Sequence, residues 1–346
     1  MAPQKIKTME EFASVAGLSR PTVSKYFDDP TSVRDATRQR IEAALKRYDF
    51  RPNLFAVNLN RRRSKIIGLI VPDPVDPFYA ALTRRIETRA ADAGYLAFVL
   101  SSDGNPDLEE KAIKTFTALN VAGAIIAPLG QTSHRPRIRH LAKSIPLIFV
   151  DSRLDDEGPF VGTDNYQSIA LMTDYLSRTG ESPTYFEMPG VNNNAVERRA
   201  SYEQAMLRLN LKPNYAPIRP RQTWDFEKFA FDETQRILQG RGFPTRTILC
   251  ANDRLAFGVM AAAYQAGLKV GIEAGADLRV AGHDNHPLSA YTCPPLTTIS
   301  QNYNEIGRRA LDLLFREIGI TTAKDTDLPE DRCILLSAEI VLRKSA

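Results

Sequence analysis

Cysteine, histidine and tryptophan are scarce in this 346-residue chain, with 3, 4 and 1 copies. Cys250, Cys293 and Cys333 are widely spaced and odd in number, which argues against a disulfide framework and against a thiolate metal site. His134, His140, His283 and His286 show no recognisable ligand spacing. His283 and His286 flank Asp284, where a metal or acid–base site is conceivable, although a loop after a strand commonly carries such residues with no further role. No apolar run approaches the roughly 18 residues that a membrane span needs, so no membrane partner is expected. Met1–Glu10 mixes Lys5 and Lys7 with polar residues and lacks an apolar core, unlike a secretory signal, and the expected setting is the reducing cytoplasm. Catalytic signatures are missing as well. No Gly-x-Gly-x-x-Gly follows the first predicted strand, and the chain has no Walker A loop, nucleophile elbow or His-Glu-x-x-His. Neither an enzyme nor a cofactor is expected.

What is present is an uneven charge. Residues 1–65 carry 14 Lys/Arg against 7 Asp/Glu, a balance of +7, while the remaining 281 residues carry 31 against 34, a balance of −3. A positive field confined to one short segment suits a polyanion-binding module joined to a neutral body. The segment is also patterned. Thr8 can cap a helix with Glu10 and Glu11 in its first turn and Phe12, Val15 and Ala16 at helical spacing, and Gly17 ends it. Ser19 can cap a second helix, about Arg20 to Phe27, with Val23, Tyr26 and Phe27 inward and Arg20, Thr22, Ser24 and Lys25 outward. Asp28-Asp29-Pro30 breaks it. A third, about Asp35 to Tyr48, places Ile41, Ala44, Leu45 and Tyr48 on one face. Two short helices across a tight turn, then a longer one, form a helix-turn-helix unit; the alternative is a small interaction bundle, which the basic second helix disfavours.

Val15–Ser19 (VAGLS), Thr22–Lys25 (TVSK), Thr37-Arg38 and Arg51–Asn53 (RPN), in this order, resemble the LacI/GalR family of bacterial transcription regulators, and the likeness extends along nearly the whole chain. The resemblance implies that Arg20, Pro21 and Lys25 read base edges in the major groove. Chemistry supports Arg20 and Lys25 as donors to guanine, whereas Pro21 offers apolar contact alone. Thr22 and Ser24 are read as phosphate contacts, as is Asn53. One departure is Arg34, where the family usually has a capping serine; Asp35 is expected to take over the cap.

Residues 51–64 are too short for a stable isolated helix in water. The resemblance implies a hinge helix that pairs across a dimer on DNA and inserts Leu59 into the minor groove, with Ala56 at the close-packed face and Arg61 and Arg62 near phosphates. A plain linker is the alternative.

From Lys65 the pattern alternates strand and helix. Ile66–Val71, Tyr95–Leu100, Gly123–Ala127, Ile145–Val150 and Phe160–Val161 read as strands, with helices over Phe78–Ala93 and Asp107–Leu119. A second set follows: helices at Asn165–Thr179, Arg198–Leu209, Phe226–Gln239 and Arg254–Gln265, and strands at Thr184–Met188, Tyr215–Ile218, Thr247–Cys250 and Leu278–Ala281. The expected fold is α/β: a two-lobed, doubly wound, periplasmic-binding-protein-like body behind an all-α helix-turn-helix headpiece and hinge helix. Its expected domains are 1–50, the hinge 51–64, a first lobe of 65–164 plus 294–326, and a second lobe of 165–293 plus 327–346. By resemblance the chain crosses near Asp164, Pro294 and Asp327, so that Tyr291–Gln301 returns to the first lobe and one strand, about Arg332–Leu342, finishes in the second.

Such lobes leave a cleft at the carboxyl ends of their strands. The resemblance places in it Phe78 and Tyr79, Arg198, Trp224, Asn252 and Asp253, Asp284, and, at the crossings, Asp164 and Gln301. Arginine donors, aspartate acceptors and aromatic faces suit a small sugar or polyol, while His283, Asn285 and Ser201, where the family commonly has Tyr, Asp and Gly, leave a charged ligand open. The expected molecule is a repressor: a homodimer on a palindromic double-stranded DNA operator, controlled by that effector through lobe closure. The chain closes on Val341–Ala346 without a heptad repeat, so a dimer is expected, not a tetramer. A solute-binding protein, which would need export, and an α/β enzyme are the competing readings.

Overall fold

The computed structural model describes residues 6–48, 50–51, 64–154, 158–320 and 331–346, arranged as two units, Met1–Lys65 and Ile66–Ala346. In the first unit, α1 (Met9–Ala16) opens with a capping box: Thr8 Oγ1 accepts from the Glu11 amide, and the Glu11 carboxylate accepts from the Thr8 amide. Gly17 adopts φ 62°, and Arg40 from α3 (Asp35–Arg47) donates through Nη2 to the carbonyls of Ala16 and Gly17, satisfying the end of α1. Ser19 caps α2 (Arg20–Asp28) with Pro21 inside its first turn. Arg34, not Asp35, occupies the cap position of α3, and no side chain caps it; Asp35 already lies within the first turn, where its carboxylate pairs with Arg38 at 2.8 Å. Phe12, Val23 and Ile41 are fully enclosed, and Phe50 stacks on Phe12 at 4.5 Å. Val15, expected on the inner face, is exposed; Ala13 takes its place.

Among its described residues the second unit holds three sheets. In the first lobe run β1 (Ile66–Val71), α4 (Pro77–Asp92), β2 (Leu96–Ser101), α5 (Pro106–Ala118), β3 (Gly123–Ile126), α6 (Arg135–Ser144), β4 (Leu147–Val150) and β5 (Phe160–Thr163). The second lobe has α7 (Asn165–Thr179), β6 (Thr184–Phe186), α8 (Asn193–Arg208), β7 (Asn214–Tyr215), α9 (Phe226–Gln239), β8 (Thr247–Cys250), α10 (Asp253–Gln265) and β9 (Arg279–Ala281). Then come β10 (Thr298–Ser300), α11 (Tyr303–Glu317), β11 (Cys333–Leu336) and β12 (Glu339–Val341). The first sheet is six parallel strands in the order β11-β5-β4-β3-β1-β2, covered on both faces by apolar clusters; the second is four parallel strands, β7-β6-β8-β9; β10 and β12 pair antiparallel.

Two expected crossings are corrected. Tyr291–Ser300 stays with the second lobe, since Thr297 bridges Ala281 and Lys344 donates to the Pro295 carbonyl; the return occurs at Gln301–Asn302, and α11 packs into the first core through Ile306, Ala310 and Leu314. Nor is 332–342 one strand. Cys333–Leu336 pairs with the open edge of β5 in the first sheet, and the chain crosses at Ser337-Ala338, not near Asp327, which lies outside the described residues. An unpaired β5 edge would leave backbone groups unsatisfied, and β11 supplies their partners. Two amphipathic helices, α6 and α11, had no sequence expectation, and α8 begins five residues before Arg198.

Candidate functional site

On the headpiece, Pro21, Ser24 and Lys25 are exposed on α2, while Thr22 hydrogen-bonds Ser19 through its hydroxyl at 2.8 Å. Arg20 is more than half exposed and pairs with Glu10 of α1 at 2.6 Å. The helix therefore presents an outward cationic and hydroxyl face over the buried Val23. Asn53, Leu59, Arg61 and Arg62 lie outside the described residues.

In the body, the carboxyl ends of β1, β4, β6 and β8 aim loops into one cleft. Its two contiguous hollows measure about 40 and 60 Å³. Phe78, Tyr79, Arg198, Trp224, Asn252, Asp284 and Gln301 line the first, and Asp253 borders the second with Asp284. Of the expected residues Asp164 alone lies apart: its carboxylate caps α7 on the Gln167 amide, and its own amide donates to Leu336 at the crossing. Gln301 links both roles, receiving Thr163 Oγ1 at 2.5 Å and donating to Asp284 at 2.7 Å.

Arg198 is buried on α8. Its Nε donates to Asn165 at 2.9 Å, and its Nη1 reaches the Ala251 carbonyl at 2.7 Å and Asp284 at 3.3 Å. Asp284 stands at φ 118°, a conformation that side chains rarely adopt, and such strain clusters at ligand sites. Burial pushes its carboxyl up, but the Arg198 charge and the His283 and Gln301 hydrogen bonds outweigh that and hold it below the usual range. Asp253 is different. Its carboxylate accepts from the His286 amide and from the hydroxyls of Ser289 and Thr298, so it is committed to fastening the 286–298 loop to α10. Burial, then the Asp284 charge, pushes it up to about 7. Asn252 caps α10 through Oδ1.

Several cleft residues carried no sequence expectation. Asp151, at φ 62°, accepts from Tyr79 Oη at 2.7 Å and from Asn194 at 3.1 Å, and burial pushes it up to about 6. Asp76 is likewise raised to about 6, by burial first and by Asp284 second. Arg254, gripped at Nε and Nη2 by Glu227 at 2.7 and 2.8 Å, crosses the cleft to Asp73 and Asp76, each at 3.3 Å. Asn192 is buried against the hollow, and its Oδ1 has no partner among the described residues. The Asn192–Asn194 run preceding Arg198 was the available signal, but short polar side chains are common at helix starts. The cysteines and the histidines form no metal cluster among the described residues.

A cationic helix-turn-helix unit joined to a two-lobed body with a polar, aromatic-walled cleft defines a DNA-binding regulator. Comparison with known proteins agrees. Residues 8–53 match the profile of the bacterial regulatory proteins of the lacI family, and residues 64–338 that of the periplasmic binding proteins and sugar binding domain of LacI family. The chain is similar to the ribose operon repressor of Escherichia coli K12, at 28% identity over 90% of this chain and 93% of that one. It is similar to the HTH-type transcriptional repressor CytR of the same organism, at 31% over 90% and 89%. Among solved structures it resembles the lac repressor dimer bound to operator and the anti-inducer ONPF, with a TM-score of 0.81, 25% identity and 98% of each chain covered. The protein belongs to the LacI family, and it is a DNA-binding transcriptional regulator, not an enzyme. No helix among the described residues is long and apolar enough to cross a membrane.

Proposed function

We propose that this regulator is a repressor whose operator affinity is set by a small neutral sugar or polyol held in the cleft. The observation that carries the reading is the pairing of Arg198 with Asp284 between the aromatic side chains of Phe78, Tyr79 and Trp224: donors, an ionised acceptor and flat apolar faces together suit a polyhydroxy ring. The names of relatives that include a ribose operon repressor, and a lac repressor dimer seen on operator with an anti-inducer, support it. In this reading a homodimer sets two copies of α2 in successive major grooves of a palindrome, with Arg20, Pro21 and Lys25 at base edges and Thr22, Ser24, Asn53, Arg61 and Arg62 at phosphates. Leu59 of each hinge wedges into the minor groove between them. Effector binding shifts lobe closure, which shifts hinge order and so operator affinity, with reciprocal effects on the two ligands.

The test is a panel of pentoses, hexoses and polyols titrated against the purified protein with and without operator DNA. One member should bind with an affinity that operator changes by about five- to 150-fold, the usual range of coupling. Equal affinity in both conditions for every binder would reject the mechanism. Leu59→Ala should keep effector binding and reduce DNA bending.

A further inference from the structure

His283 stands beside Asp284, is fully buried, and has no role in the scheme above. Its Nδ1 lies 2.8 Å from Asp284 Oδ1 and its Nε2 lies 3.0 Å from Ser168 Oγ on α7. Burial, reinforced by the neighbouring Arg198 charge, holds the ring down to about 4, so it is neutral at physiological pH. A neutral imidazole carries one proton. An ionised carboxylate can only accept, so that proton sits on Nδ1 and points at Asp284. Nε2 must then accept, and its donor is the Ser168 hydroxyl; the other acceptor in reach of that hydroxyl, the Asn165 carbonyl, is farther away at 3.3 Å.

This fixes the carboxylate as well as the ring. Asp284 Oδ1 also receives Gln301 Nε2 at 2.7 Å and faces Arg198 Nη1 at 3.3 Å. Three donors converge on that one oxygen, which leaves it no room for a fourth. Oδ2 has no hydrogen-bond partner among the described residues, and Asp284 borders both hollows of the cleft. The backbone at this point, φ 118° followed by φ 50° at Asn285, will not hold such an orientation by preference.

We infer that His283 is a positioning residue: locked as the Nδ1–H tautomer by Ser168, it turns Asp284 so that Oδ1 is consumed inside the protein and Oδ2 is offered to the effector as a single anionic acceptor for one hydroxyl. The inference rests on the cleft being the effector site, and it gives that site a required ligand feature, a hydroxyl donor facing Oδ2.

The test uses the full chain. In protein carrying 15N-histidine at pH 7, the His283 signals, identified by their loss in His283→Asn, should show the neutral Nδ1–H pattern. An Nε2–H or imidazolium pattern overturns the inference. Asparagine and glutamine separate the two ring nitrogens, because the Asn amide nitrogen superposes on Nδ1 and the Gln amide nitrogen on Nε2. Calorimetric titration with D-ribose, D-glucose and myo-inositol should find that whichever binds the parent protein binds His283→Asn within about threefold and His283→Gln about tenfold or more weaker, as expected when a hydrogen bond to a charged group is lost. The reverse order, or equal loss in both, overturns the positioning role. If none of the three binds the parent, the tautomer alone decides the inference.

Discussion

Trp224 of the second lobe lies across Gly104 of the first: a Cβ placed on Gly104 would come within 2.3 Å of the indole Cδ1. Gly104 also holds φ 63°, so both its backbone and its missing side chain serve this contact between the lobes. Gly104→Ala should therefore cost stability through the backbone, about 1 kcal/mol, and separately hinder closure. Gly94→Ala is the control, with φ 72° and nothing within 4 Å of its new methyl. We expect both to lower the melting temperature by a similar amount and Gly104→Ala alone to weaken effector binding. Equal effector affinity in the two variants would show that the indole moves aside at no cost.

The cleft carboxylates should give the body an inverted pH dependence. Asp76 titrates near 3.8 when unconstrained and near 6 in the fold, so the folded form binds the extra proton. Its contribution is fully present below pH 3.8 and lost as pH rises through 6. Asp151 shifts in the same direction, and Asp253 goes to about 7. Thermal stability should thus fall between about pH 4 and 7. Asp76→Asn keeps an α4 cap, removes one carboxylate, and should flatten that slope while stabilising the protein at pH 7.5 by about 1 kcal/mol. An unchanged slope would mean that the Arg254 ion pair already keeps Asp76 charged throughout.

Asn192 offers a test by stability alone. Its buried Oδ1 is unpartnered among the described residues and its side chain does not cap α8. Replacing an unsatisfied buried amide by an apolar group of similar shape is neutral or stabilising. Asn192→Leu should leave the ligand-free melting temperature unchanged or raised, and weaken effector binding. A clear drop in melting temperature would show that the amide has a structural partner instead.

On the headpiece, the pairing of Arg20 with Glu10 implies an exchange on DNA. Arg20→Ala should cost about 1–3 kcal/mol on the cognate site and relax discrimination at one base pair. Glu10→Gln removes an exposed partner and a negative charge, and should strengthen binding to any duplex by less than about 1 kcal/mol. Filter binding on cognate and random duplexes across a salt series separates the two. Equal loss on both for Arg20→Ala would make it a phosphate contact.

Much of this architecture was legible in the chain. Thr8, Gly17 and Ser19 announce the headpiece helices because capping is local: the donor, the acceptor and the φ angle lie within four residues. The runs Ile66–Val71 and Thr247–Cys250 declare buried parallel strands for the same reason, and family likeness carried Arg198, Trp224 and Asp284 into one cleft. Local pattern could not say which edge Cys333–Leu336 would join, because β11 finds its partner 173 residues away in the chain, at Phe160. Nor could it show that Asp253 is consumed by Ser289, His286 and Thr298 while Asp284 keeps one oxygen open, or that His283 selects that oxygen. Sequence fixes which groups exist and which helices and strands hold them. Which lone pairs remain free depends on atoms brought together from across the chain, and only the packed tertiary structure decides that.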